Sequence, residues 1–430
     1  MYNRKILFKC VIIGMLGVLP FVILEIRKIQ RSHEYYVWYD TPGQNIKLPE
    51  DVSGPFGFFA CFSPSGDKLV VVGNEIMSQE TLEEKVDPVF MMMALRYSFH
   101  ISDAPEYKNF QEIYRSDYPG IVYDMACSPI LPNHVAFIAS TVQVRLPKSP
   151  AELHSVTNDP DINSKTQREW QQVVKDGCRT ALFLLDMSSG EIKELTCIWD
   201  RHPLRQVFSH KGVAFLSWTH DGEAIIYSDR DFVWHIQPSG EKKQIFSLNG
   251  GAIFSNIRCE PNGDILFVFL GTLEGEERVS REELVSGWNP RMVQIDSTGK
   301  LLSKTRASFY PGTYEFECPM TALIGKNRIA TIKMNNSESM YPVRDFTIGF
   351  FSVNDVVNNK NVVDPVHKSL LFDRNYVQFY YQPLAFSPDE KTVYFVKKRA
   401  TVGSDKDYTT PMTMSNILAP WVEFRKIKCE

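Results

Sequence analysis

The sequence predicts an all-β fold, a six-bladed β-propeller of four-stranded antiparallel blades. Three observations lead to this prediction: an apolar hairpin recurs along the chain, a more polar hairpin follows most copies, and single strand-like segments stand near both ends. Internal repetition of this kind is the sequence signature of repeat architectures. With 430 residues, of which 43% are hydrophobic, the chain is long enough to bury the core of such a fold.

The apolar hairpin consists of an apolar strand, a polar turn with Pro, Asp or Gly, and a second apolar strand. These turn residues preset or tolerate the backbone angles of a tight reversal. Val, Ile, Phe and Ala fill both sides of the flanking strands, which is typical of strands buried between sheets. The six copies lie at residues 57–73, 122–140, 213–229, 253–271, 315–333 and 382–398.

A second hairpin with cleaner alternation of apolar and polar residues follows these copies. Alternation is typical of strands with one wetter face. Each repeat therefore predicts four strands, here called a to d from the inside outward, which is the composition of a propeller blade. The first of these second hairpins begins at Leu95, and the others lie at residues 181–196, 232–248, 292–305 and 347–363.

The two ends of the chain predict how the ring closes. Only one strand-like segment, residues 421–427, follows the sixth apolar hairpin, and residues 35–49 precede the first one. If these segments pair, the last blade is complete and no open strand edge remains. The sequence therefore predicts one propeller domain over residues 35–430, and leaves open whether 35–49 forms one strand or two.

Residues 1–34 differ from the rest and predict an N-terminal signal anchor with a short linker. Lys5 and Lys9 precede an apolar run, Cys10–Leu24, and no small-residue cleavage site follows it. The chain would then be held to the membrane by this helix, with the propeller outside the cytoplasm, periplasmic or extracellular. Two alternatives stay open: a cleaved signal, which gives a secreted protein, and a buried core helix.

Long insertions are concentrated at the connections between strands b and c. Because neighbouring strands of a blade alternate in direction, b–c and d–a connections lie on one face of the disc, and a–b and c–d turns on the other. Loops on a rigid scaffold commonly carry function, so this face is the predicted binding surface for a protein or peptide. The insertions lie at residues 74–94, 141–178, 272–290 and 400–420, with a shorter one at 335–343.

Three features of these insertions supply candidate partner-binding residues, each with a blander alternative. Two segments are acidic, which favours a basic or neutral partner or simply gives a solvated surface. A methionine run either meets varied apolar partners or begins an outer strand. A predicted helix, 164–177, presents a tryptophan to a partner or uses it to dock onto the disc. The candidates are Glu83, Glu84, Met91, Met92, Trp170, Glu276, Glu277 and Trp288.

The cysteines predict no complete disulfide framework, because seven, an odd number, lie beyond the anchor. Cys178 and Cys197 flank one predicted hairpin, but their offset of about two residues from direct opposition would strain a bridge. Four others fall in predicted inner strands, where a small buried apolar side chain is the ordinary interpretation. These are Cys61, Cys127, Cys259 and Cys318.

Motifs for known chemistry are missing from the sequence. The formal net charge of −4 argues against nucleic-acid binding. The nine histidines show no metal-ligand spacing, and no nucleophile elbow, P-loop or dinucleotide fingerprint is present. We therefore expect no cofactor, no metal and no catalytic residue. One alternative remains: an enzyme acting on a carbohydrate or lactone through carboxylates in the central tunnel.

Two copies of the repeat carry a family resemblance. SWTHDGEAIIYSDRDFVWHIQPSGE (217–241) and FSPDEKTVYFVKK (386–398) resemble the TolB-type and WD-repeat-like six-bladed propellers. The shared pattern is an apolar pair, a turn close to S-P-D-G, a short apolar strand and an outer strand that ends in a turn. This resemblance implies the fold, and by analogy a protein-binding scaffold outside the cytoplasm.

Overall fold

The described part of the chain folds into six antiparallel β-sheets, one for each predicted blade. The structure is a computed structural model. It describes residues 44–49, 52, 58–76, 95–141, 178–202, 214–229, 231–273, 276, 290–307, 322–336, 343–358, 368–374, 378–400 and 422–429.

Blades 1 to 3 follow the chain from its first apolar hairpin. Blade 1 is formed by β2 (Phe59–Phe62), β3 (Lys68–Ile76), β4 (Leu95–Asp103) and β5 (Gln111–Arg115). Blade 2 is formed by β6 (Gly120–Cys127), β7 (His134–Thr141), β8 (Cys178–Asp186) and β9 (Ile192–His202). Blade 3 is formed by β10 (Leu216–Trp218), β11 (Ile225–Ser228), β12 (Phe232–Ile236) and β13 (Lys242–Ser247).

Blades 4 to 6 complete the ring. Blade 4 is formed by β14 (Ala252–Ile253), β15 (Arg258–Cys259), β16 (Ile265–Leu270), β17 (Arg291–Ile295) and β18 (Leu301–Arg306). Blade 5 is formed by β19 (Ala322–Ile324), β20 (Arg328–Asn336), β21 (Val343–Ser352) and β22 (Lys368–Arg374), with helix α1 (Val353–Val357) between the last two. Blade 6 is formed by β23 (Gln378–Phe386), β24 (Thr392–Ala400), β25 (Val422–Lys428) and β1 (Gln44–Ile46).

The predicted closure of the ring is confirmed. Strand β1 pairs antiparallel with β25, and Ile46 lies opposite Phe424. Both side chains are buried in a cluster that also contains Phe58 from the start of blade 1. The described part of the predicted segment 35–49 thus supplies the outermost strand of the last blade, while residues 35–43 lie outside the described ranges.

The core is divided into clusters that lie between neighbouring blades, and strand periodicity explains why. On β7, Val135 and Phe137 face blade 1, whereas Ala136 and Ile138 face blade 3. All four are fully buried. Because successive side chains of a strand point to opposite faces, a blade between two neighbours needs apolar residues at every position. This explains the continuous apolar runs of the second strand in each repeat.

The four longest connections between strands all join strands b and c, as predicted. They lie after β3, β7, β16 and β24, at residues 77–94, 142–177, 271–290 and 401–421. We call the surface on this side the long-loop face. One insertion departs from the pattern: the c–d connection of blade 5, residues 353–367, is also long and lies on the opposite face. The c–d turns are therefore tight in most blades but not in this one.

The fourth strand of blade 5 lies later in the chain than the sequence predicts. The second half of the predicted hairpin 347–363 contains helix α1, and the outer strand follows at Lys368–Arg374. Ser352 caps this helix by accepting a hydrogen bond from Asp355 N–H. Val353 and Val356 are one helical turn apart and are buried between blades 4 and 5. The apolar spacing that was interpreted as a strand is thus helical.

Two further predictions concern the N-terminus and a disulfide. Residues 1–34 lie outside the described ranges, and no described helix has the length and hydropathy of a membrane span.

In blade 2, Cys197 lies opposite Ala181, whereas Cys178 lies opposite His202. Cys197 is a free thiol, so the hairpin bridge from Cys178 to Cys197 is not formed.

Candidate functional site

The inner strands of the six blades surround a central channel with a cavity of about 410 Å³. Each blade contributes residues from its strand a or the turn that follows. One lining residue for each blade, in order, is Cys61, Asp124, Ser217, Asn256, Leu323 and Ala385.

The cavity lies toward the a–b turns, at the end of the channel opposite the long-loop face. Ser63, Pro64 and Pro388 belong to a–b turns and line it. These turns are held by a hydroxyl at their first position: Ser63 Oγ and Ser387 Oγ donate to Asp67 and Asp389, respectively. The recurring S-P motif of the sequence thus forms the rim of this end of the channel.

Asp124 is the carboxylate among the described residues that line the cavity. It is 6% exposed and accepts hydrogen bonds from the backbone N–H of Met125 and of Leu216, each at 2.9 Å. Burial raises the pKa of Asp124 to about 7, and these two N–H groups offset part of that increase. Because Leu216 belongs to blade 3, the carboxylate connects blade 2 to its neighbour.

Other polar groups of the channel also connect adjacent blades. Asn256 donates to the carbonyl of Ile324 at 3.0 Å and accepts from Ile324 N–H at 2.6 Å. In the core between blades 2 and 3, Trp218 Nε1 donates to the carbonyl of Ala126 at 3.0 Å. These side chains satisfy the inner-strand backbone, which has no further strand to pair with. Their hydrogen bonds join neighbouring blades, and their polar groups therefore already have partners within the chain.

Asn256 also explains why the inner strand of blade 4 is split. Between β14 and β15 the chain leaves the ladder, and Ser255 Oγ accepts from Val268 N–H at 2.8 Å. Ser255 forms an isolated parallel bridge with Ala322 of blade 5. The interruption turns Asn256 toward Ile324, and hydrogen bonds to blade 5 thus replace part of the hairpin ladder.

Glu390 connects blades 6 and 5 at the a–b turns. The residue is 7% exposed, and its carboxylate accepts from the backbone N–H groups of Lys326 and Asn327, the latter at 2.7 Å. Its backbone φ is +53°, a conformation that non-glycine residues rarely adopt.

Replacing Glu390 with alanine is expected to lower the free energy of unfolding by about 1.5–3 kcal/mol, because two charge-assisted hydrogen bonds are lost. The backbone strain is common to both residues and cancels. Chemical denaturation measures this difference. The matched control is Glu241→Ala, at an exposed glutamate of a c–d turn, which should change stability by less than about 0.5 kcal/mol. Equal effects at the two positions would refute the assignment.

The channel offers little for catalysis among the residues described. Its lining is mostly Ala, Cys, Phe and Leu, with one carboxylate, Asp124, rather than a pair. No group of three or more His, Cys, Asp or Glu residues within the described ranges could hold a metal ion. The convergent carboxylates that the enzyme alternative requires are therefore not present in this part of the structure.

The candidate partner-binding residues fall largely outside the described ranges. Glu83, Glu84, Met91, Met92, Trp170, Glu277 and Trp288 lie there, as does the predicted helix 164–177. Their roles stay predictions.

Glu276 is described, and its charge is balanced within the chain. Its carboxylate accepts from Arg291 Nη1 at 2.7 and 2.8 Å and forms a second ion pair with Lys304. The Arg291 guanidinium is the main cause that lowers the pKa of Glu276 to about 2. Glu276 therefore fastens the insertion of blade 4 to β17 and β18. A role in partner binding stays a prediction for this residue also.

Sequence reasoning missed the structural role of Asp124 and Asn256, which is to join neighbouring blades. Asp124 interrupts the otherwise apolar inner-strand segment VYDMAC, and Asn256 lies beside Ser255 in the inner-strand segment IFSNIRC. A polar residue at such a position is costly to bury without a partner. This signal could have identified both as side chains that pair with another blade.

Comparison with known proteins gave matches among solved structures. No protein-family model and no curated protein matches the sequence. Among solved structures, TolB from Acinetobacter baumannii is similar at 11% identity and a TM-score of 0.39, over 84% of this chain and 64% of that one. An oligogalacturonate lyase in complex with manganese is similar at 12% identity and a TM-score of 0.40, over 91% of this chain and 96% of that one.

The six-bladed fold that the resemblance to TolB-type propellers implies is confirmed by the six antiparallel sheets of this chain. A third similar structure, an α-L-arabinofuranosidase from Fusarium graminearum, has 10% identity and a TM-score of 0.41, over 91% of this chain and 98% of that one. Similarities at these identities carry no information about function.

Proposed function

We propose that this chain is a binding scaffold that holds a protein or peptide on its long-loop face. The observation that carries the proposal is the topology of the insertions: the four long b–c connections, at 77–94, 142–177, 271–290 and 401–421, leave the same side of the ring. A closed ring of blades keeps the ends of these connections at fixed relative positions, which is the arrangement that binding loops need.

The composition of the insertions supports a basic or neutral partner. Segments 74–87 and 272–288 are net acidic. Glu276 is paired with Arg291 and Lys304, so the remaining carboxylates of these segments would have to supply the attraction. Complementary charge of this kind increases the association rate and the selectivity more than the affinity.

The channel supports a scaffold over the enzyme alternative. The polar side chains Asp124 and Asn256 each bond a neighbouring blade, and the cavity lies at the end of the channel away from the long-loop face. The scaffold would be tethered by residues 1–34, with the propeller outside the cytoplasm.

Replacement of single insertions tests the binding face. Residues 77–94, 142–177 and 401–421 are each exchanged for a short Gly/Ser linker in the full chain, and neighbours are captured by crosslinking in cells and identified by mass spectrometry. We expect at least one exchange to remove a partner that the unmodified chain captures, because its contacts lie on that insertion.

The matched control exchanges residues 359–367, which belong to the c–d connection on the opposite face. This variant should capture the same partners as the unmodified chain. Thermal unfolding of each variant shows that the ring remains folded. An identical set of partners for all b–c exchanges, or a loss confined to the 359–367 exchange, would refute the proposal.

A further inference from the structure

Two cysteines from neighbouring blades meet at the wall of the channel. Cys61 lies on β2 of blade 1, and Cys127 is the last residue of β6 in blade 2. Their Sγ atoms are 2.6 Å apart, although 66 positions separate them in the chain. This separation exceeds the length of an S–S bond by only about 0.6 Å. Small rotations of the two side chains would therefore bring the sulfur atoms to bonding distance.

The environment of the pair combines burial with access. Both side chains pack against the apolar cluster between blades 1 and 2, which includes Phe137. Both also line the cavity of about 410 Å³, and neither is completely buried. Small molecules in the channel can therefore approach the pair from the cavity, whereas a folded protein is too large to enter.

We infer that Cys61 and Cys127 form a disulfide bond under oxidising conditions, and that this bond locks blade 1 to blade 2 at the a–b end of the channel. Two other blade junctions around the channel use hydrogen bonds, from Leu216 N–H to Asp124 and from Asn256 to the carbonyl of Ile324. At the junction of blades 1 and 2 the two sulfur atoms occupy the corresponding place. The site goes beyond the proposed function, because it concerns the ring and not the long-loop face.

The oxidant is a low-molecular-weight disulfide, for which oxidised glutathione serves as the probe. One cysteine thiolate attacks it, forms a mixed disulfide and releases one glutathione thiolate. The second cysteine thiolate attacks the mixed disulfide, forms the Cys61–Cys127 bond and releases the other. The two cysteines lose two electrons, the glutathione disulfide gains them, and the two thiol protons end on reduced glutathione.

The exchange is slow, and the bond acts as a lock rather than as a rapid switch. Burial raises the pKa of the Cys61 thiol well above its ordinary value, so the thiolate of this residue is scarce at neutral pH. A bond between residues 66 positions apart restricts the unfolded chain considerably, so the oxidised protein should unfold at a higher temperature.

Peptide mapping of the purified full chain tests the inference. The protein is equilibrated at mildly alkaline pH with oxidised or with reduced glutathione, alkylated in denaturant and digested with trypsin without reduction. After oxidation we expect peptides 48–68 and 116–145 to be joined by a disulfide bond. Before alkylation, the intact mass of the oxidised protein should be lower than that of the reduced protein by two hydrogen atoms. The thermal unfolding midpoint should rise by a few degrees.

Three serine variants complete the test. Cys61→Ser and Cys127→Ser should lose the rise in the midpoint on oxidation, whereas Cys259→Ser should keep it. Cys259 is the matched control, because it is also a half-buried inner-strand cysteine. Alkylation of both Cys61 and Cys127 after oxidation, or a glutathione adduct that persists on either, would overturn the inference. The map of the unmodified chain decides the question even if a serine variant does not fold.

Discussion

Replacing Phe424 with alanine is expected to lower the free energy of unfolding by about 3–5 kcal/mol. Phe424 is fully buried on β25, opposite Ile46 of β1. Its ring lies 5.4 Å from that of Phe58 and 5.8 Å from that of Tyr394. The substitution leaves a cavity where the N-terminal strand, the last blade and the first blade meet. Chemical denaturation followed by tryptophan fluorescence measures the change.

The control is an exposed residue of another outer strand. If its replacement with alanine is tolerated, the large effect at Phe424 is specific to the contact that closes the ring. Leu302 on β18 is 46% exposed, so Leu302→Ala should cost less than about 0.5 kcal/mol. Hydrogen exchange provides a second measurement: in Phe424→Ala, protection should decrease first in β1 and β25. Protection that decreases first in blades 3 and 4 would contradict the assignment of Phe424 to ring closure.

The fold was predictable because most of its determinants are local. Five of the six a–b turns carry a hydroxyl or Asp and a residue suited to reversal, as in Ser63–Asp67 and Thr219–Gly222, whereas that of blade 5, residues 325–327, carries neither a hydroxyl nor Asp. Gly222 has a φ of +69°, and a Cβ atom there would contact Ile130 of blade 2 at 2.5 Å. The residues of this turn therefore indicate both the chain reversal and the close contact with the neighbouring blade 2. Ring closure was also predictable. The last repeat lacks one outer strand, and a strand-like segment that belongs to no other repeat lies near the N-terminus.

The channel could be predicted less well because its contacts are not local. The hydrogen bond from Leu216 N–H to Asp124 joins residues 92 positions apart, and that between Asn256 and Ile324 joins residues 68 positions apart. Hydrophobic periodicity gives the face of a strand but not the register between strands of different blades. The pairing of Cys61 with Cys127 was missed for the same reason, since each cysteine alone fits a small apolar side chain.

Helix α1 shows a second limit, which is the ambiguity of short apolar segments. The spacing of Val353, Val356 and Val357 fits a helical turn as well as an irregular strand. What decides is the capping of the helix by Ser352 and the burial of Val353 and Val356 against blade 4. The cap has a sequence signal, Ser followed three positions later by Asp. The burial depends on the neighbouring blade and has no local signal.

The stability of the protein should depend on pH through Asp124. Its pKa is raised to about 7 in the folded state from an ordinary value of 3.8. Between these values the folded state binds more protons than the unfolded state, so the free energy of unfolding falls as the pH rises. The stabilisation that results from the raised pKa of Asp124 is fully present below about pH 4 and is lost as the pH rises through about 7. Three pKa units correspond to a change on the order of 4 kcal/mol.

The variant Asp124→Asn should remove this dependence. Asparagine has one side-chain acceptor, so it satisfies Met125 N–H or Leu216 N–H but not both, at a cost of about 1–3 kcal/mol at every pH. Its stability curve should therefore be lower near pH 4 but flatter toward pH 7.5. Acids with lowered pKa values, such as Glu276 at about 2, contribute equally to both proteins and cancel in the difference. Denaturation at a series of pH values measures both curves. If the two curves run parallel from pH 4 to 7.5, Asp124 is ionised throughout that range, and its two N–H donors outweigh its burial.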